Sequence, residues 1–595
     1  MLLSLLLAAG LQAVPAQDTL QAVTVVADRG VVVSRTDTVK IQSLTDVSTV
    51  LTGIPALYVG DYGSAAGLKS ASLRGLGSAH TAIYVDGVRV GNVQSGQADL
   101  GFLDLQSLTD VVVDYAQNSL SFNTAKPGFC CKKVRGNARL GYGSFGTWQP
   151  YASLAFRLGE KWSLSTHAGG IITNGQFPLE DGSLRANNDL KQLQAGADLW
   201  GALDGGDFHA KVYFNGANRG TPGSTAWPST DRQTDRNVLA QWTLKKAVSP
   251  HYTLHLSGKT AYDKIFYASA WGDTTYEQTE FQLNSAHKFT LTPWWTLSLA
   301  ADASLDGLLS NLYSQQRIGA VGAISTAFRW ARFKADLALE YAGTFDEGHS
   351  PWHSLSPSVD LRLKLTDAWD LVAFGRRAFR APTFNELYYP GYGNTELKPE
   401  DAWLADVGLD WHRRLGSWTI SSRADGFYNW LTDKIVSAPT AADPNIWLPY
   451  NVGKVQAYGA DFLGNIRYAA GNRKAGFSIR YSYQNAVDKT PDSFTFGQPI
   501  PYIAKHTVVL QADASWKGWA LGATWNLRSG RRDAAGEMPD WNTLDARFGK
   551  TFRLGNLGCL GLKVIGRNLL DCRYETVSGY PMPGRSLLGG LEFKF

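Results

Sequence analysis

From about residue 134 onward the chain alternates apolar and polar residues with a period of two, and it does so for roughly 460 residues. Phe208, Ala210, Val212 and Phe214 alternate with His209, Lys211, Tyr213 and Asn215. Tyr252, Leu254 and Leu256 alternate with Thr253, His255 and Ser257. Phe333, Ala335, Leu337, Leu339 and Tyr341 alternate with Lys334, Asp336, Ala338 and Glu340. Successive side chains of a strand point to opposite faces, so each segment has one face suited to lipid and one suited to a polar lumen. A soluble sandwich also alternates, but its polar face meets bulk water and it rarely sustains the pattern this long. No apolar stretch reaches the length of about 18 residues that a membrane helix needs. A membrane chain without helical spans must close its sheet into a barrel, because an open edge would leave backbone N–H and C=O groups unsatisfied in hydrocarbon.

Composition agrees with this reading. Charged residues make up 18% of the 595-residue chain, and aromatics reach 12%, with 20 Trp, 25 Tyr and 26 Phe. Low charge with many amphipathic rings suits a water–lipid boundary. The net charge of +5 is small and the basic residues are scattered, which argues against nucleic acid as a partner. Residues 1–16, MLLSLLLAAGLQAVPA, read as an export signal: the apolar run is too short to span a bilayer, and Val14 and Ala16 are small residues placed for cleavage before Gln17. No Cys stands at that position, so a lipid anchor is not expected.

Residues 18–133 follow a different grammar, with short apolar runs broken by Gly and Ser, as in a small mixed α/β domain. Ser43–Thr52 followed by Gly53-Ile54-Pro55 predicts a short helix and its stop. Ile83-Tyr84-Val85, Asp86-Gly87 and Val88-Arg89-Val90 predict a hairpin. At about 9 to 11 residues per membrane strand, residues 134–595 accommodate 16, 18 or 22 strands depending on loop length. Cys559 and Cys572 stand too far apart along one strand and loop to bridge. A link from Cys130 or Cys131 to Cys559 and free thiols are both open. No hydrolase elbow, zinc-protease or phosphate-loop motif occurs, so no enzymatic activity is expected.

Four segments, in this order, carry a resemblance to the TonB-dependent outer-membrane receptors. They are Thr19–Ala27 (TLQAVTVVA), Ser72–Leu103 with its Arg-Gly and Asp-Gly, Phe379–Trp403 running into Leu-Lys-Pro-Glu, and Gly566–Phe595 ending on an alternating strand that stops at Phe. The resemblance implies an all-β transmembrane barrel of about 22 antiparallel strands with an N-terminal α/β plug inside the lumen. It divides the chain into a signal peptide (1–16), a TonB box and periplasmic segment (17–30), a plug (31–133) and a barrel (134–595). The TonB box would be Thr19, Leu20, Gln21, Ala22, Val23, Thr24, Val25 and Val26, able to add as a strand to a periplasm-spanning TonB-type partner. One segment departs from the family pattern: after Val111-Val112-Val113, residues 114–136 look shortened and the usual Gly-rich strand is absent.

The resemblance also implies a function and candidate residues. The expected function is energised uptake of a large scarce nutrient, cobalamin first, because the short chain and loops resemble the vitamin B12 receptor subfamily. A ferric-siderophore or haem receptor, or a passive channel with a divergent plug, are the alternatives. Tyr62, Asn92, Gln94 and Gln97 fall in the apical plug loops and are ligand-binding candidates. Arg74, Gly75, Asp86 and Gly87 are structural candidates, since an Arg inside a lumen needs an acidic partner. No cofactor is required. The subfamily binds calcium through extracellular carboxylates, which makes Glu180, Asp181, Asp189, Asp231 and Asp235 the metal candidates. Expected partners are the TonB-type protein, the small-molecule ligand, outer-membrane lipid and a surface lipoprotein.

Overall fold

A computed structural model describes residues 35–595 except 64, 93, 130–131, 440–446, 492, 494 and 534. The signal segment, Thr19–Val26, Cys130 and Cys131 lie outside the described residues. Cys559 and Cys572 are free and partly buried.

Twenty-two antiparallel strands form one closed barrel. It opens with Val134–Gly143 and closes when the last strand, Ser586–Lys594, pairs back on it with Leu588 opposite Gly143 and Lys594 opposite Asn137. The alternation in the sequence has a direct structural meaning. Val212 and Phe214 are exposed to the outside, whereas His209, Lys211 and Asn215 are buried inside. One end carries tight turns such as Gly416-Ser417, Gly471-Asn472 and Lys517-Gly518, together with the start of the first strand and Phe595. The other end carries the long connections 174–189, 221–231, 381–399, 489–505 and 568–585.

The plug fills the lumen. Its sheet takes the order β1 (Thr36–Lys40), β6 (Leu108–Asp114), β7 (Ser119–Thr124), β4 (Ala82–Val85), β5 (Val88–Val90), while β2 (Leu57–Asp61) and β3 (Lys69–Leu73) form a separate hairpin. Helix α1 spans Val47–Thr52, four residues later than the sequence predicts at its start, because the Asp46 carboxylate caps it by accepting the Thr49 N–H at 2.8 Å. The β4–β5 turn holds Asp86 and Gly87 at φ 49° and 82°, the left-handed pair that a two-residue hairpin needs.

The seam after Val113 differs from the expectation. The chain turns at Tyr115–Asn118 and forms β7, antiparallel to β6 and parallel to β4. In place of the family's Gly-rich strand, whose absence the sequence shows, stands Ser119-Leu120-Ser121-Phe122-Asn123-Thr124, with Leu120 and Phe122 fully buried. The sheet is therefore complete, and large apolar side chains fill the space that a glycine strand would leave.

Candidate functional site

The plug meets the barrel wall in two chemically distinct ways. On the side of strands Trp369–Arg380, Glu400–Leu415, Trp418–Pro439 and Trp447–Ala470, contact is dry and ionic. The plug core, including Leu51, Leu73, Val111 and Phe122, is continuous with Phe374, Leu404, Leu431 and Val455 of the wall. Arg74, 3% exposed, donates to Asp406 at 2.8 Å, Asp425 at 2.7 Å and Asp461 at 2.8 Å. The rings of Tyr115 and Phe427 lie 4.5 and 4.4 Å from its guanidinium. Burial opposes the Arg74 charge, but the three carboxylates outweigh it and hold its pKa above the ordinary value. Arg35 joins the same set, donating to Asp410 at 2.8 Å and Asp425 at 2.6 Å. Gly75 follows at φ 76°, and a Cβ there would stand 2.9 Å from that of Ala486. Only glycine lets the backbone approach the wall so closely.

On the opposite side, toward strands Gly206–Gly220 to Thr274–Thr292, plug and wall separate around a cavity of 580 Å³. All four candidate ligand residues, Tyr62, Asn92, Gln94 and Gln97, line it. The Tyr62 ring packs edge-on against Tyr580 of a long connection, 5.0 Å between centroids. The Gln94 N–H donates to Gln278 of the wall at 3.3 Å, and the Asn92 carboxamide oxygen accepts the Ser95 N–H at 2.9 Å.

Three wall cations face the cavity, and each has an acidic partner. Lys211 meets Asp86 at 2.6 Å and Asp198 at 3.6 Å. Arg219 meets Asp99 at 2.9 Å and Asp235 at 3.2 Å. Lys259 pairs with Glu280. Asp86 thus does more than turn the hairpin. Its carboxylate accepts the Thr124 N–H and hydroxyl, both at 2.7 Å, as well as Lys211. Burial raises its pKa, but Lys211 and these donors outweigh it and hold the carboxyl below the ordinary value. The result is a cavity whose wall is largely apolar and whose three cations are each matched by a carboxylate, with Asp104 and Asp263 as further acidic residues in the lining.

A long connection closes over this cavity. Residues 381–399 fold inward as helix α2 (Phe384–Tyr388), capped reciprocally by Thr383 and Glu386. The Asn385 N–H donates to the Gln94 carbonyl at 3.0 Å. Glu386 and Glu400 both engage Arg380, and Glu400 also pairs with His80 of the plug. The Thr-x-x-Glu spacing before Leu387 is a capping-box signal that announces this helix in the sequence. The lumenal partners Asp406, Asp425 and Asp461 have no such local signal.

The calcium candidates do not converge. Asp189 forms an ion pair with Arg232 at 2.8 Å, Asp231 accepts the Tyr267 hydroxyl at 2.7 Å, and Asp181 accepts the Ser183 N–H at 2.9 Å. Asp235 lies fully buried beside Arg219, away from the loops, and Glu180 is exposed. Among the described residues, the group of three or more carboxylate, His or Cys ligands is Asp86, Asp198 and His209, whose centre Lys211 already neutralises. The five carboxylates therefore do not fit one cation site in this arrangement.

Comparisons with known proteins follow the same architecture. The chain is 22% identical to the protein named vitamin B12 transporter BtuB of Vibrio vulnificus (strain YJ016), over 93% of this chain and 90% of the relative. It is 23% identical to the protein of that name from Photobacterium profundum, over 94% and 91%. Among solved structures it superposes on the siderophore receptor PirA from Acinetobacter baumannii with a TM-score of 0.75 at 14% identity, covering 94% and 98% of the two chains. It superposes on the copper transporter OprC with a TM-score of 0.74 at 14% identity, covering 91% and 94%. The plug-domain family model matches residues 15–128, the "TonB dependent receptor-like, beta-barrel" model matches residues 72–569, and the chain accordingly belongs to the TonB-dependent receptors, transporters of the outer membrane that work with a TonB partner on a small-molecule substrate.

Proposed function

We propose that this receptor imports cobalamin or a closely related corrinoid. The observation that carries the reading is the charge balance of the cavity. A polyanionic ferric chelate needs uncompensated cations, whereas Lys211, Arg219 and Lys259 each already have a carboxylate partner. The plug loops add amide and phenol chemistry to the lining through Tyr62, Asn92, Gln94 and Gln97. Such groups suit a large neutral molecule rimmed with amides. Two relatives that cover nine-tenths of the chain are named vitamin B12 transporters, which supports the same ligand class.

Uptake then proceeds in physical steps. The ligand settles against the apical plug loops and the inward-folded α2. The TonB box, residues 19–26, adds as a strand to the TonB sheet, where several main-chain hydrogen bonds share the applied load. Force loosens the plug on its cavity side, where contact is sparse, before its ion-paired side.

The test is binding of purified full-length protein to cyanocobalamin and to ferric chelates, with and without calcium, combined with uptake by cells. Tight cyanocobalamin binding is expected. Deleting Leu20–Val26 should abolish uptake while leaving surface binding intact. Preferential binding of a ferric chelate, or uptake that survives the deletion, would overturn the reading. Calcium-dependent binding would mean that Arg232 releases Asp189.

A further inference from the structure

The barrel's short-turn end, which faces the periplasm in this family's orientation, carries an uneven charge. Four successive hairpins there, spanning 411–420, 466–477, 514–521 and 548–561, contain Arg413, Arg414, Arg467, Arg473, Lys474, Lys517, Lys550 and Arg553 and no acidic residue. None of these eight cations forms an ion pair among the described residues. Elsewhere on the same rim cations are fewer and partly paired: Lys246 and Lys288 stand in hairpins without an acidic residue, but Lys161 meets Asp204 at 3.3 Å and Lys364 meets Asp367 at 2.7 Å.

Part of this basic arc points toward lipid. Arg413 continues the outward series Val407, Leu409, Trp411. Arg473 stands opposite Trp516 and Lys550 opposite Trp519 in the ladder, on the lipid-facing side of the wall. Lys517, in the turn, places its ammonium 5.1 Å from the Trp516 ring, and Lys550 places its own 4.2 Å from the Trp519 ring. Trp418 and Tyr468 pack at the same level with centroids 4.9 Å apart. Indole and phenol rings mark the depth where hydrocarbon gives way to headgroups. Cations at that depth on the outer face meet the headgroup layer, with their aliphatic stems laid along the rings.

We infer that this arc, through Arg413, Arg473, Lys517 and Lys550, is a binding surface for anionic phospholipid headgroups of the periplasmic leaflet. The occupant is a lipid rather than an acidic protein because these four side chains stand in line with the aromatic belt. A water-borne partner would be met by cations on the lumenal rim. On the opposite arc Lys161 and Lys364 are held in ion pairs, so unpaired cations are sparser there. The consequence is an annulus of unequal lipid composition around the barrel.

The experiment uses full-length protein reconstituted in phosphatidylcholine vesicles with traces of spin-labelled phosphatidylglycerol or spin-labelled phosphatidylcholine, and reads the motionally restricted fraction of each label. The native protein should favour phosphatidylglycerol, with each cation contributing up to about five-fold at low salt. The preference should shrink as salt is raised. In R413Q/R473Q/K517Q/K550Q the two labels should associate equally, whereas K161Q on the opposite arc should match the native protein. Heat-modifiable gel mobility reports folding, and if the quadruple variant fails to fold, R473Q/K517Q is read instead against native protein at high salt. Equal association of both labels with the native protein would overturn the inference. So would a preference that survives the substitutions, or competition by soluble glycerol phosphate, which would indicate a site for free phosphate.

Discussion

The plug's two faces within one barrel differ in how they hold. Toward Glu400–Leu415 and Trp418–Pro439, apolar side chains run unbroken from plug to wall, and Arg35 and Arg74 share Asp406, Asp410, Asp425 and Asp461. Toward Gly206–Gly220 and Thr274–Thr292, a cavity intervenes and the contacts are separate ion pairs and single hydrogen bonds. The first face is cooperative, since removing one member leaves several buried charges exposed to one another. The second can lose contacts one at a time. A transporter that must stay sealed at rest and yet yield under load has use for both.

Arg74→Ala should give the largest effect. It leaves Asp406, Asp425 and Asp461 without their shared cation, a change of about 3–5 kcal/mol for a broken buried pair. The plug should become protease-sensitive and the purified barrel should conduct ions without ligand. A plug as resistant as the native one would show that the two faces hold equally.

Asp114 sharpens the comparison by pH. Burial pushes this carboxyl up to about 6, although the Gln117 N–H and Arg376 oppose the rise. A folded state that holds the proton more tightly gains stability that is complete below 3.8, the unfolded value, and is lost as pH rises through about 6. Asp114→Asn should remove that dependence and stabilise the plug above this range by roughly 1–3 kcal/mol. Denaturation midpoints on either side of the interval check it. An unchanged pH slope would remove Asp114 from the dry face.

The smallest effects belong to the cavity. Tyr62→Phe and Gln94→Ala should each weaken ligand binding by about 1 kcal/mol, the net worth of a hydrogen bond, with no change in plug stability. Equilibrium binding and proteolysis of the same preparations separate the two outcomes. A loss of stability with unchanged binding would reverse the roles of the faces.

Much of this was legible along the chain because its causes are local. Period-two alternation places Val212 outward and Lys211 inward whatever the neighbours are, and Asp86-Gly87 makes a hairpin from its own backbone preferences. Apical loops rich in Tyr, Asn and Gln pointed to the cavity lining. The loop carboxylates were less informative, because a carboxylate's neighbours in space decide whether it meets a cation or a metal, as Asp189 with Arg232 and Asp235 with Arg219 illustrate.

What the sequence by itself determined is the closed barrel, the plug ahead of it and the strand faces. Each follows from hydrogen-bond satisfaction in lipid and from short-range patterning. What only the tertiary structure decided is the pairing across the lumen. Arg74 and Asp425 are 351 residues apart in the chain and 2.7 Å apart in space, and the wall residue Ala486 stands 2.9 Å from where a Cβ on Gly75 would lie. The same holds for the seam after Val113, where Leu120 and Phe122 occupy the strand that is glycine-rich in the family pattern. Side-chain volume can replace backbone closeness only where the surrounding walls leave room, and those walls exist only once the barrel has closed.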